Sequence, residues 1–398
     1  MSQKTQRLCE LSFENTEIAF RGKSDGDINK AYWLFKLLSS NFLTRIGRPI
    51  TDLALNWGLP IEGIIRSTIF NHFCGGETID GCVEAINRLA EQRVGTILDY
   101  SVEGEETEEA FDDTCAEIIR TVTYATTNPN ISFSVFKPTG LGRFELFEKI
   151  NAKQPLSTDE RLEYERVRGR VERICQNCYE HGVKVLIDAE HSWIQDAIDD
   201  LAREMMQRFN RETPIVYNTY QLYRHDKLAS LQADYYLAET DGFFLGAKLV
   251  RGAYMEIERE RAQEKGYRSP IQTDKDATDR DYDLALQFCL DHIERVGLVA
   301  GTHNEFSSKL LVDEMNRRQL PADHPHIYFA QLLGMSDNLS FNLAAAGYRV
   351  AKYMPYGPVK AVMPYLFRRA QENTSVAGQT GRELSLIAQE KKRRKNKR

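Results

Sequence analysis

The sequence predicts an α/β protein, a (βα)8 TIM barrel with an N-terminal helical region. Three observations predict it. After position 90, short apolar runs recur about every 36 residues, each followed by polar punctuation. Helical stretches fill the gaps between them. Before position 90, apolar residues fall at helical spacing and no strand-like run intervenes. A βαβ unit needs about 30 residues or more, and eight units in roughly 280 residues match a closed barrel. An open doubly wound sheet is the alternative, but it usually carries a glycine-rich turn after an early strand. No Gly-x-Gly-x-x-Gly follows any of the runs, and there is no Walker A loop.

The helical region comes first. Asp27 to Leu38 has apolar residues at helical spacing, with Asp27 as the expected N-cap. A second helix is expected from Pro60 to Phe73, stopped by Gly75-Gly76, and a third from Thr78 to Gln92. The strand candidates are Val94–Asp99, Ile131–Lys137, Val183–Asp188, Ile215–Thr219, Phe243–Val250, Leu298–Thr302, Ile327–Gln331 and Arg349–Tyr353. Continuous apolar runs suit strands covered on both faces, as a parallel sheet demands. The connecting helix Ser157–His181 opens on Ser157-Thr-Asp-Glu160 and closes on Gly182. The division expected is 1–90 helical region, 91–378 catalytic barrel and 379–398 basic C-terminal tail.

Composition is that of a globular protein: 398 residues, 42% hydrophobic, 28% charged, mean hydropathy -0.48. No apolar run approaches the roughly 20 residues of a membrane span. The N-terminus has no apolar core for a secretory signal, and Glu10, Glu14 and Glu17 make it too acidic for a mitochondrial presequence. Seven cysteines, odd and thinly spread, argue for a reducing compartment. The net charge of -6 hides an asymmetry, because Lys391–Arg398 holds seven cations. Without it 45 basic residues face 58 acidic ones, which argues against nucleic acid as a partner of the body. By default such a run of like charge is a disordered, solvated end.

Barrel active sites form at the C-terminal ends of the strands, and these ends are regularly polar. They are Lys137, Asp188, Asn218, Lys248 with Arg251, then Thr302-His303-Asn304, Gln331 and Tyr353. Any one alone reads as a cap or a solvated residue; together they place cations, amides and an acid around one mouth. Further on, Tyr365, Arg368, Arg369 and Glu372 fall at i, i+3, i+4 and i+7, one face of a helix. Adjacent guanidiniums suit a carboxylate or a phosphate. The plain alternative is a solvated face with an Arg–Glu pair. Cys175-x-x-Cys178 lies within a helix with no second pair nearby, so no metal site is expected. His72 sits on an apolar helix and reads as a satisfied, half-buried histidine.

These residues carry a resemblance. Phe136-Lys-Pro-Thr-Gly-Leu-Gly, Leu186-Ile-Asp-Ala-Glu, Tyr217-Asn-Thr-Tyr-Gln and Gly246-Ala-Lys-Leu-Val-Arg-Gly-Ala-Tyr resemble proline dehydrogenases. So do Thr302-His-Asn-Glu, Gln331-Leu-Leu-Gly-Met, Tyr353-x-Pro-Tyr-Gly-Pro and Tyr365-Leu-x-Arg-Arg-x-x-Glu-Asn. The Gly-Ala-Lys-Leu-Val-Arg form is similar to the eukaryotic branch and its bacterial relatives. The resemblance implies a distorted (βα)8 TIM barrel, noncovalent FAD, oxidation of L-proline to Δ1-pyrroline-5-carboxylate (the first step of proline catabolism to glutamate) and a membrane quinone as electron acceptor. It implies that Arg368 and Arg369 clamp the proline carboxylate, that Lys137 adds a third cation, and that Tyr353 and Tyr365 pack on the ring. Asp188 matches the family's active-site acid, orienting Lys137 or a tyrosine. Lys248, a catalytic candidate, and Arg251 take flavin-facing positions in reversed order relative to many bacterial members. Ala189, Asn218, Gly252, Ala253, Thr302, His303, Asn304, Gln331 and Glu372 complete the implied cofactor set, with Asn218 standing where those relatives have a glutamine.

Three rivals stand beside this reading: another flavin barrel such as a methylenetetrahydrofolate reductase, a Schiff-base aldolase using Lys137 or Lys248, and a scaffold with a dead barrel. The expected location is the cytoplasm, with peripheral contact at the inner face of the membrane through the basic tail.

Overall fold

The computed structural model describes residues 11–38, 62–102, 104, 106–366, 368–369 and 379–397. Eight strands close into one parallel barrel in chain order. They are β1 (Val94–Tyr100), β2 (Ile131–Phe136), β3 (Val185–Ile187), β4 (Val216–Gln221), β5 (Leu245–Val250), β6 (Val296–Gly301), β7 (Ile327–Leu332) and β8 (Val350–Tyr356). Each overlaps its predicted run.

Before the barrel lie α1 (Thr16–Ala19), α2 (Asp25–Leu38), a helical stretch from Glu62 to Phe73 with a π-turn at Arg66–Phe70, and α3 (Val83–Ala90). Asp27 is not the cap of α2: it sits in the first turn and accepts from Ser24 N at 3.1 Å, while Ser24 Oγ accepts from Asp27 N at 3.1 Å. Around the barrel run α4 (Glu108–Thr127), α5 (Phe144–Asn151), α6 (Thr158–His181), α7 (Ser192–Phe209), α8 (Lys227–Asp241), α9 (Met255–Lys265), α10 (Lys275–Asp291), α11 (Glu305–Arg317) and α12 (Asp337–Ala345). Two helices, not one, join β2 to β3 and β5 to β6, which is the distortion of the regular plan. α6 starts at a full capping box of Ser157 and Glu160 and ends at Gly182, with φ 65°.

The strands bury both faces. Outward residues such as Val216, Tyr220, Leu245, Ala247 and Leu298 join the helical layer in one large core. Inward residues form a separate cluster: Ile97, Phe133, Val135, Leu186, Tyr217, Val299, Tyr328, Ala330, Ala351 and Tyr353. Tyr217 is wholly buried there. Two glycines make room for it. A Cβ on Gly246 would stand 2.9 Å from the Tyr217 ring, and one on Gly297 would stand 2.5 Å from its hydroxyl. The lumen is therefore a packed core, and chemistry is left to its mouth.

The basic run at the end does not hang free. It belongs to α13 (Gln379–Asn396), whose Leu386 and Ile387 pack with Phe20, Ile28 and Phe35. Arg393 pairs with Glu17 at 3.1 Å, Arg394 with Asp25 at 2.8 Å and Lys397 with Glu17 at 3.0 Å. Glu390, fully buried, accepts from both arginines. Glu383 accepts from Ser336 N at 2.5 Å. Nearby, Asp337 bridges Lys23 at 2.6 Å and the buried Lys352 at 3.0 Å. The described residues 13–35 and the last helix are thus tied to one another and to the barrel. The expectation of a disordered end is corrected: the opposite charges and the apolar surface that hold this run lie at the other end of the sequence.

Candidate active site

Side chains alternate along a strand, so the lumen row can be followed to the mouth. In β2 it runs Phe133, Val135 and on to Lys137; in β3, Leu186 and on to Asp188; in β8, Ala351 and Tyr353. β5 adds Lys248 beyond Gly246. These rows converge. Lys248 Nζ donates to Asp188 Oδ1 at 2.5 Å, and Tyr353 Oη donates to Asp188 Oδ2 at 2.6 Å. Lys248 Nζ also stands 4.9 Å from the Tyr353 ring centroid. One carboxylate thus holds a cation and a phenol, one on each oxygen. Burial lifts the Tyr353 phenol far above its ordinary range, and the Asp188 and Asp99 charges add to it, so Tyr353 is a neutral donor. The tyrosine that Asp188 orients is Tyr353; its cationic partner is Lys248.

Beside this set, Arg251 follows β5 on the outward parity. Its Nε donates to Asp279 at 2.6 Å, Nη1 to Thr302 Oγ1 at 2.7 Å and Nη2 to Ser307 Oγ at 2.9 Å. Its guanidinium lies 4.4 Å from the Tyr282 ring centroid. It is a rigidly held cation at the rim between β5 and β6. Gly252 and Ala253, both exposed, continue from it, and Gly252 has φ 134°, which suits glycine alone. Asn304 caps α11, accepting from Ser307 N at 3.1 Å. His303 Nδ1 is 2.9 Å from Ser336 Oγ. Burial and the Lys352, Arg369 and Arg251 cations push its pKa down to about 3, so it is neutral near pH 7. Ala189 follows Asp188, half-buried at the mouth.

Two amides lie elsewhere than the sequence suggested. Asn218 is on the outward parity of β4; its Nδ2 donates to Asp199 of α7 at 3.0 Å and its Oδ1 accepts from Thr219 N. It faces the helical layer, fully buried, and is not a mouth residue. The residue on the lumen row is Gln221, which donates to Glu190 O at 2.7 Å. Gln331 likewise faces outward, donating to Thr302 O at 3.2 Å and accepting from Ser340 Oγ at 2.8 Å. It reaches the rim through Thr302. Asp99 was also missed. It is 3% exposed on the lumen row of β1 and accepts from Ser101 Oγ. Counting by two from the inward residues finds both it and Gln221.

Residues 363–366 and 368–369 are helical. Tyr365 packs with Phe70, Phe73, Val359 and Leu366, which sets this segment against the helical stretch ending at Phe73. The Arg369 guanidinium lies 5.3 Å from the Tyr365 ring centroid. Arg369 is buried and Arg368 half-buried. The charge of Arg369 acts on His303, and Tyr365 acts on Tyr353, so this segment borders the mouth. Glu372 lies outside the described residues.

His72 donates to Gly334 O at 2.9 Å and packs edge-on to Phe35 and Phe73; burial holds its pKa at about 4. Cys175 and Cys178 are wholly buried in the core. Among the described residues, no group of three or more His, Cys, Asp or Glu could hold a metal ion, and no helix is long and apolar enough to cross a membrane.

A family model described as proline dehydrogenase matches residues 82–382. "Proline dehydrogenase 1, mitochondrial" of Dictyostelium discoideum is 33% identical over 96% of this chain and 74% of its own length. The human protein of the same name is 42% identical over 58% of this chain and 39% of its own. "Carbapenem antibiotics biosynthesis protein CarD" of Pectobacterium carotovorum is 32% identical over 84% of this chain and 86% of its own. Among solved structures, proline utilization A from Bdellovibrio bacteriovorus, inactivated by N-propargylglycine, superposes with a TM-score of 0.73 at 19% identity. That match covers 97% of this chain and 42% of the longer one. The barrel, the ring of polar strand ends and these likenesses agree, and the chain belongs to the proline dehydrogenase family of oxidoreductases that act on the CH–NH group of donors.

Proposed function

We propose that this chain oxidises L-proline to Δ1-pyrroline-5-carboxylate at the barrel mouth, using noncovalently bound FAD. The observation that carries this is the Asp188–Lys248–Tyr353 set, with a helical segment holding Arg368 and Arg369 at its border. The donor set fits a flavin: Lys248, Arg251, Thr302 and Gln221 present cations, a hydroxyl and an amide at one rim, the groups that favour a pyrophosphate and a ring gaining negative charge. When bound, FAD supplies a two-electron acceptor. The protein's residues bind and orient. Arg368 and Arg369, with Lys137, clamp the proline carboxylate. Tyr353 and Tyr365 pack against the pyrrolidine ring and limit its size. Asp188 holds Lys248 in place and fixes the Tyr353 phenol. Holding the reacting carbon in one pose is where the rate enhancement originates.

The test is optical. The purified protein is expected to be yellow and to bleach anaerobically on addition of L-proline. A colourless protein, trapped by borohydride with a carbonyl substrate, would mean a Schiff-base lysine instead. The acceptor we propose is a membrane quinone. The tail has a reduced part in reaching it, because Arg393, Arg394 and Lys397 are in ion pairs and Lys391 lies over the Tyr32 ring at 4.2 Å. Lys392 and Lys395 remain exposed. At about 1 kcal/mol each near an anionic surface, they support only a loose, salt-sensitive contact, measurable by vesicle flotation.

A further inference from the structure

On the rim beside β4 lies a second cleft, of about 340 Å³, that the proposed chemistry does not use. It is walled by the first turn of α7, the loop Arg224–Asp226, α9 and the loop 267–270. None of the residues assigned above to proline or FAD lines it. Its lining is cationic and aromatic: Arg224, His225, Arg261 and Arg268, with Trp193 and Tyr267. Asp226 is the one acid among the lining residues.

Its donors are underused. Arg224 has a side chain only 7% exposed. Nε and Nη2 are held by Asp226 at 3.0 and 2.7 Å, but Nη1 has no hydrogen-bond partner among the described residues. Arg261 gives one Nη to Glu148 and lies over Trp193, 4.3 Å from its ring centroid, yet its Nε is buried without a partner among the described residues. The same holds for the indole Nε1 of Trp193. Buried donors are nearly always paired in folded proteins, and these three unpartnered ones belong to residues that line one cleft. Arg268 is exposed and enters no ion pair among the described residues. The lining carries three guanidiniums against the one carboxylate of Asp226, with Glu148 and Glu258 behind it on Arg261 and Ser192.

We propose that this cleft binds a phosphate group, free or as the end of a small organic phosphate. Guanidinium forks match the tetrahedral oxygens of a phosphate, and Arg268 brings one with no ion-pair partner among the described residues. The volume exceeds what one ion fills and lies in the range of small-molecule sites. Tyr267, 41% exposed, offers an open ring face to an attached body.

The test uses the full chain with its flavin bound, titrated with inorganic phosphate and separately with glycerol phosphate and adenosine monophosphate. Heat and tryptophan fluorescence are read at ionic strength held constant with chloride. Saturable one-to-one binding is expected. Tighter binding of an ester identifies an organic phosphate as the natural source, and equal or tighter binding of inorganic phosphate identifies the free ion. Arg268→Ala, an exposed change that opens no buried gap, should weaken binding about tenfold, as should Arg224→Gln. Trp193→Phe should remove the fluorescence change and keep the heat. A response that does not saturate, one that neither arginine variant alters, or tighter binding of succinate than of any phosphate overturns the proposal. Because no turnover is measured, its failure and the failure of proline oxidation are separate results.

Discussion

Replacing Asp188 with Asn tests how much the mouth depends on one carboxylate. Lys248 and Asp188 are 9% and 14% exposed at their side chains, and Tyr353 is 8% exposed, so solvent cannot take over either partner fully. Asn keeps an acceptor for the Tyr353 hydroxyl at 2.6 Å but removes the charge that faces Lys248 at 2.5 Å. A hydrogen bond to a charged group is worth about 1.5–3 kcal/mol. The variant should lose about that much transition-state stabilisation, roughly a ten- to 150-fold fall in kcat/KM for proline with a soluble dye as acceptor. Its urea midpoint should fall in parallel, because Lys248 loses its buried ion-pair partner. Tyr353→Phe alone should cost less. If Asp188 acts by holding Tyr353, the double variant must be less than additive, with a coupling of roughly 0.5–3 kcal/mol. Additivity within about 0.5 kcal/mol in both measurements would refute the positioning argument, and an unchanged kcat/KM for Asp188→Asn would refute the site.

Arg368→Met or Arg369→Met should raise the KM for proline by roughly one to two decades while the flavin stays bound, since a charge-assisted pair is worth about 1.5–3 kcal/mol; normal proline affinity in both would remove the clamp. Arg251→Ala should lower FAD occupancy of the purified protein more than it changes proline affinity in the loaded fraction, because it frees Asp279, Thr302 and Ser307 together. Gln221→Ala should weaken FAD binding, whereas Asn218→Ala should cost about 1–3 kcal/mol of stability and leave FAD affinity alone; the opposite pattern would reverse the assignment of faces. His72 and His303 have folded pKa values of about 4 and about 3, below the ordinary 6.5. The unfolded chain therefore takes up protons first as the pH drops. Their stabilisation is complete above about 6.5 and is lost progressively below it, by at most about 2 kcal/mol each at pH 5. The urea midpoint should fall between pH 7 and 5, and a flat midpoint over that window would count against both burials.

The barrel was legible because its strands are buried on both faces, which leaves continuous apolar runs such as Phe243–Val250 at even spacing. The candidate site was legible because polar residues end those runs, where Lys137, Asp188, Lys248 and Tyr353 stand. What spacing could not supply was parity. In Tyr217-Asn-Thr-Tyr-Gln both amides look like mouth residues, but they are three positions apart and face opposite ways. Tyr217 decides between them: it fills the lumen only because Gly246 and Gly297 yield to it, so 219 and 221 face inward and 218 does not. The same reasoning was available at β1, where Ile97 faces inward and Asp99 must follow it.

The chain's end failed for a different reason. A local reading of Lys391–Arg398 contains only cations, and cations alone repel one another and stay in water. The structure supplies what that reading lacks from residues some 370 positions earlier: Glu17 and Asp25 for the charges, Phe20, Ile28 and Phe35 for Leu386 and Ile387. Glu390 shows how firmly the ends meet. It is buried, which disfavours its charge, yet the bonds from Arg393, Arg394 and Thr16 hold its pKa near 2. A fully buried carboxylate that stays ionised implies that the arginines are held there too, so this part of the tail is structure before it is an anchor. Through Glu383 the same helix reaches Ser336, and Ser336 meets His303 at the rim. The docking of the two termini thus ends within two hydrogen bonds of the candidate flavin site, a connection that no window of the sequence contains.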